Sequence, residues 1–154
     1  MAENFLSKMR KVALLLPYNG KLDILFQNRK EINKPYTKDY GFFGGGVESG
    51  ETTEQALARE IKEELGININ ELKGLEFFKK YVFKIIELKT IRELNVFLCK
   101  MPDMNKLKIG EGKAEIFNIK NAINLNISER DKKILGEIYN YLVKKYGKDN
   151  RTGR

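Results

Sequence analysis

Residues 45–67 read GGVESGETTEQALAREIKEELGI, and the rest of the chain is interpreted outward from them. The stretch fills every position of the frame G-x5-E-x7-R-E-U-x-E-E-x-G-U, where U is aliphatic. Its anchors are Gly45, Glu51, Arg59, Glu60, Ile61, Glu63, Glu64, Gly66 and Ile67. At ordinary residue frequencies such a match is rarer than about one in ten million per starting position. Thr52 and Gln55 have capping-box spacing, Gly66 offers a stop, and Leu57, Ile61 and Leu65 recur every fourth residue with Ala58 alongside. That spacing predicts a helix with one buried stripe.

On this helix Glu60, Glu63 and Glu64 stand at i, i+3 and i+4, beside the stripe and not opposite it. Like charges so placed oppose helix formation by roughly 0.2–0.5 kcal/mol per pair. A hard divalent cation, which favours carboxylate oxygens, would neutralise that repulsion. A solvated face is the ordinary use of a charge run. Such a face, however, needs neither glycines at both ends nor a glutamate at a set distance before it. The approach, Tyr40 to Glu51, carries five glycines between Gly41 and Gly50. A loop of that kind brings backbone amides and carbonyls close to a ligand.

The frame resembles the signature of the Nudix hydrolases. The resemblance implies cleavage of a nucleoside diphosphate linked to another group, with Mg2+ or Mn2+ held by Glu60, Glu63 and Glu64. It also implies that the Gly45 carbonyl assists the metal and that Glu51 pairs with Arg59 in a structural role. By the same resemblance Gly44 and Gly45 lie beside the substrate, and Arg29 matches an arginine that meets substrate phosphate; a plain surface cation is the other reading of Arg29. Glu111 is a candidate for an additional acidic ligand, with Glu115 competing. Tyr40 and Phe43 stand where the family commonly has tryptophan and proline. Glu60 is expected to accept the proton of the attacking water. Tyr81 and Phe83 share a strand face from which an aromatic can stack on a base, although core packing is the more ordinary use.

With 154 residues the chain is sized for one domain, expected over 1–147 with a disordered basic tail at 148–154. The absence of histidine excludes histidine triads, histidine bases and histidine zinc sites. Cys99 is the single cysteine, so no intrachain disulfide forms; it lies in an apolar run and is expected in the core of a cytoplasmic protein. No apolar run approaches the about twenty residues that span a bilayer, so a membrane is not expected among the partners. The formal charge of +8 favours phosphate-rich partners. These include a nucleotide substrate and the 5′ end of an RNA; oligomeric state stays open, a homodimer included.

Strands are expected at Lys11–Leu16 and Leu22–Gln27 about an Asn19-Gly20 hairpin turn, with a loop through Pro35 and a short strand at Tyr40–Phe43. Leu75–Leu88 and Ile91–Met101 read as a second pair and Lys113–Ile119 as another strand. Ser128 caps a final helix, and Ile134, Leu135, Ile138, Tyr141 and Leu142 form its stripe. This order suggests an α/β fold, and the resemblance makes it a Nudix-type α/β/α sandwich with a mixed β-sheet. The expected activity is a metal-dependent pyrophosphohydrolase, with nucleoside triphosphates or damaged nucleotides as leading substrates. Dinucleoside polyphosphates and RNA 5′ ends are the alternatives, and a non-catalytic nucleotide sensor is the rival of another class.

Overall fold

Strand β1 (Arg10–Tyr18) is buried on both faces over most of its length, and the architecture is organised about it. In the computed structural model residues 9–32 and 38–152 are described, with side chains through 147. Pro35 and the expected tail, 148–154, fall outside the described residues or their described side chains. Strands β2 (Asp23–Asn28), β3 (Tyr40–Gly41) and β4 (Phe43–Gly46) precede helix α1 (Thr53–Leu65). After it come β5 (Glu76–Ile85), β6 (Thr90–Lys100), β7 (Lys113–Asn118), the short α2 (Ile119–Ala122) and α3 (Glu129–Thr152), the last broken at Gly147.

The strands form one mixed sheet. β1 runs parallel to β6 from Arg10↔Arg92 to Tyr18↔Lys100. Its other edge pairs antiparallel with β4, and β2 pairs with β3 and β7. Alternation along β1 sends Ala13 and Leu15 toward α1, where they join Leu57, Ile61, Leu65 and Cys99. Leu14, Leu16 and Tyr18 point the other way, onto Ile134, Leu135, Ile138 and Leu142 of α3. Burial on both faces explains why β1 reads as a continuous apolar run. Each fully buried leucine or isoleucine of these layers contributes about 1.5–3 kcal/mol. The result is the expected sandwich of helices on both faces of a mixed sheet.

Two local expectations are corrected. The Asn19-Gly20 turn closes through the Asn19 side chain, whose Oδ1 accepts from the amides of Lys21 and Asp23 at 2.9 and 3.0 Å. Leu22, at φ 66°, takes the left-handed conformation, so β2 begins at Asp23 and not at Leu22. β1 and β2 then diverge, and Tyr18↔Ile24 is their register pair. The single strand expected at Tyr40–Phe43 is instead two, interrupted at Phe42. β3 stays on β2 while β4 crosses onto β1, which lays the glycine run along the edge of the sheet beside α1.

Candidate active site

Helix α1 presents the acidic side chains, and both of its ends are closed. Thr52 Oγ1 accepts from the Gln55 amide at 3.1 Å while Gln55 Oε1 accepts from the Thr52 amide at 2.9 Å, and Gly66 caps the other end at φ 72°. Arg59 clamps the loop to this helix. Its Nε and Nη2 donate to the two oxygens of Glu51 at 2.8 and 2.9 Å, and Nη2 also donates to the Gly46 carbonyl at 2.9 Å. The guanidinium holds the Glu51 carboxyl down at about 2.

Glu60, Glu63 and Glu64 line one cleft of about 400 Å³ together with Gly44, Gly45 and Glu111, but at different depths. Glu64 is 7% exposed. Its Oε1 accepts from the Gly44 amide at 2.7 Å and its Oε2 from Gln27 Nε2 at 3.1 Å. Burial above all, with the neighbouring Glu60 charge, pushes the Glu64 carboxyl up to about 7, against the pull of Gly44, Gln27 and Arg29. Glu60 lies against Gly45, where an added Cβ would stand 2.4 Å from its Oε1. That same oxygen accepts from Arg59 Nη1 at 3.0 Å. Glu63 is at the rim, with its side chain 59% exposed.

The expectation that three carboxylates converge is thus corrected. Among the described residues no three acidic side chains are gathered closely enough to hold a cation between them. The donor set nevertheless fits Mg2+ or Mn2+. It is all oxygen, and Glu64 and Glu60 form a partly desolvated pair whose mutual repulsion a cation relieves. Magnesium is ordinarily held by one or two carboxylates with waters and substrate phosphates, not by a full protein cage.

The glycines set the spacing. Gly44 has φ 129°, and a Cβ there would meet the Ala13 carbonyl oxygen at 2.0 Å, so only glycine lets β4 lie on β1 with its amide aimed at Glu64. Arg29 is half-buried and borders the cleft. Its Nε donates to Gln27 Oε1 at 2.8 Å and its Nη2 to the Phe42 carbonyl at 2.5 Å, so it is no simple surface cation. Glu111 lines the cleft, whereas the Glu115 carboxylate accepts from the Asn28 side chain outside it. Tyr81 is not brought to the site. It is 5% exposed in the layer under α3, donates to Glu137 at 2.8 Å and lies parallel to Phe83. Its strand face is covered by the helix, which leaves no room for a base.

Three residues outside the sequence-predicted set belong to the site. Gln27 links Arg29, Glu64 and, at 3.1 Å, the Glu111 carbonyl. It was visible as the polar residue that follows the apolar run Ile24 to Phe26. Gly41 leaves room for the Arg29 guanidinium, which a Cβ there would meet at 2.5 Å. Arg10 faces Gly46 and lines the cleft, and no motif singles it out.

The comparisons with known proteins agree with this fold. The NUDIX domain profile matches residues 8–134. Among similar solved structures is MutT of Aliivibrio salmonicida and Vibrio cholerae, at 22% identity over 85% of this chain and 97% of that one, with a TM-score of 0.65. The Escherichia coli dihydroneopterin triphosphate pyrophosphohydrolase is 21% identical over 82% and 92%, with a TM-score of 0.65. The Caenorhabditis elegans Ap4A hydrolase is 17% identical over 88% and 98%, with a TM-score of 0.66. No curated protein matches the sequence. No helix among the described residues is long and apolar enough to cross a membrane. With the family profile spanning the sheet, the glycine loop and the glutamate helix, the chain belongs to the NUDIX family and is a hydrolase of phosphoanhydride bonds.

Proposed function

We propose that this hydrolase is a cytoplasmic, divalent-metal-dependent pyrophosphohydrolase that cleaves the diphosphate of a nucleoside diphosphate linked to another group. Nucleoside triphosphates or damaged nucleotides are its leading substrates. The observation that carries this reading is the Glu64 carboxylate. It is buried and oriented by Gly44 and Gln27, stands beside Glu60, and lies in a cleft that Arg10 and Arg29 also line.

Glu60, Glu64 and the Gly45 carbonyl would hold Mg2+ or Mn2+, with Glu63 and Glu111 at the edge. When bound, the cation supplies charge neutralisation to the phosphate oxygens. Arg10 and Arg29 bind the diphosphate from the cationic side of the cleft. The Glu60 carboxylate accepts the proton of the attacking water, because its Oε2 is not engaged by the Arg59 contact made through Oε1. Gln27 and the Gly44 amide keep Glu64 from rotating away. Both sets of contacts exist before substrate arrives, which is the condition for electrostatic preorganisation.

A panel of nucleotides assayed with Mg2+, scored for phosphate, pyrophosphate and nucleoside monophosphate, tests the reading. Hydrolysis by the parent and its loss in Glu64→Gln support it. Equal hydrolysis by the two proteins rejects the role given to Glu64, and binding without hydrolysis in both rejects the reading in favour of a nucleotide sensor. Among the alternatives, an RNA 5′ end requires activity that falls steeply between low and moderate salt.

A further inference from the structure

A second cavity, of about 420 Å³, opens on the α3 side of the glycine strand and shares Arg10, Arg29 and Gly44–Gly46 with the catalytic cleft. Val12, Leu14, Phe42 and Leu94 make its apolar floor. Its other lining is cationic, with Arg10, Arg29, Lys38, Arg92 and Arg130 against the carboxylate of Asp131. Arg10 and Arg92 are register partners on neighbouring parallel strands, which places two guanidinium-bearing side chains on one sheet face about 5 Å apart at the backbone. Arg130 approaches from the start of α3, and Arg10 and Arg130 both act on Arg92 by repulsion. None of Arg10, Arg92 and Arg130 forms an ion pair with a carboxylate among the described residues. Arg92 thus meets repulsion from two neighbouring guanidiniums over an apolar floor. An anion bound among them relieves the repulsion, and guanidinium suits phosphate through its forked donors.

We propose that the Arg10–Arg92–Arg130 cavity is a phosphate subsite, so that the preferred substrate carries at least one phosphate more than a nucleoside 5′-triphosphate. The proposal rests on the pyrophosphohydrolase reading and narrows its substrate class. A second phosphate on the sugar of the bound nucleotide and the outer phosphates of a dinucleoside polyphosphate share this chemistry. The apolar floor beside the arginines receives the sugar and base.

The test compares the parent with Arg92→Gln and Arg130→Gln on four substrates: adenosine 5′-triphosphate, the same nucleotide bearing a 3′-phosphate, diadenosine tetraphosphate, and a short 5′-triphosphorylated RNA. The parent is expected to favour the 3′-phosphorylated nucleotide or the tetraphosphate by about tenfold or more in kcat/KM, through KM, and each variant is expected to abolish that preference while changing the plain triphosphate little. Whichever of the two substrates responds identifies the source of the extra phosphate. Calorimetric titration with inorganic tripolyphosphate, expected to bind the variants about tenfold more weakly, keeps the subsite testable even if no compound is hydrolysed, the outcome that would reject the pyrophosphohydrolase reading itself. Both variants should melt no lower than the parent, since each removes a repelling charge. Equal effects on all four substrates, no effect on any, or a response confined to the RNA would overturn the proposal.

Discussion

Replacing Gly44, Gly45 and Gly50 one at a time by alanine separates three uses of glycine in a single loop. At Gly44 the backbone sits at φ 129°, and the new Cβ would stand 2.0 Å from the Ala13 carbonyl oxygen and 2.9 Å from the Leu14 Cα. Those are backbone atoms of the central strand, so relief requires β4 to part from β1 and takes the Gly44 amide away from Glu64. Strain at such a φ costs about 1–3 kcal/mol and the buried hydrogen bond lost about 1–3 more, so Gly44→Ala should lose about 2–6 kcal/mol. That is a large part of the roughly 5–15 kcal/mol that holds a domain together. Gly50 has φ 86° with nothing within 4 Å of a Cβ, so its alanine variant carries only the backbone term, about 1–2 kcal/mol. Gly45→Ala meets the Glu60 carboxylate at 2.4 Å, and that is the end of a flexible side chain. It should therefore fold within about 1 kcal/mol of the parent and lose activity by about a hundredfold as Glu60 is displaced. Urea denaturation and nucleotide hydrolysis on the same preparations read both quantities. If Gly44→Ala proves as mild as Gly50→Ala, or Gly45→Ala retains full activity, the assigned role of the close approach between β4, β1 and α1 is wrong.

Other consequences follow from the same contacts. Gln27→Leu frees Glu64 Oε2, so activity should drop about 10–100-fold, the usual cost of losing a partner that orients a metal ligand; an unchanged kcat/KM would exclude that positioning role. Burial pushes the Asp131 carboxyl up to about 6 from 3.8, so the folded protein binds its proton more tightly than the unfolded chain. Its contribution is therefore favourable at low pH and is lost as pH rises between about 4 and 6. Stability of the parent relative to Asp131→Asn should accordingly fall by about 2–3 kcal/mol across that window in urea titrations and level off above it. Glu51→Gln breaks the fork with Arg59 and should raise KM with a lowered melting temperature, because the loop bearing Gly45 is no longer clamped to α1.

Much of the fold was legible because it is written in local periodicity. The stripe Leu57, Ile61, Leu65 and the capping pair Thr52 and Gln55 needed no tertiary information, and the apolar run from Lys11 to Leu16 announced a strand. What escaped depended on contacts distant in sequence. The break at Phe42 follows from β1 and β2 diverging, which no local pattern encodes. Tyr81 alternates as a base-stacking residue would, and only the packing of α3 shows that Glu137 occupies the space before it. Gln27 reaches Glu64 across 37 positions of sequence, and Arg10 meets Arg92 through strand register. The frame of glutamates and glycines therefore marked two walls of the cleft, while the residues that orient Glu64 and charge the second cavity emerged from the sheet.

The central claim is that Glu64 and Glu60 hold a divalent cation over a phosphoanhydride, and Mn2+ titration followed by electron paramagnetic resonance tests it most directly. In the presence of a nucleoside triphosphate, the parent is predicted to take up Mn2+ and turn the nucleotide over, and Glu64→Gln to lose both the uptake and the hydrolysis. Undiminished Mn2+ binding and turnover in Glu64→Gln would contradict the account.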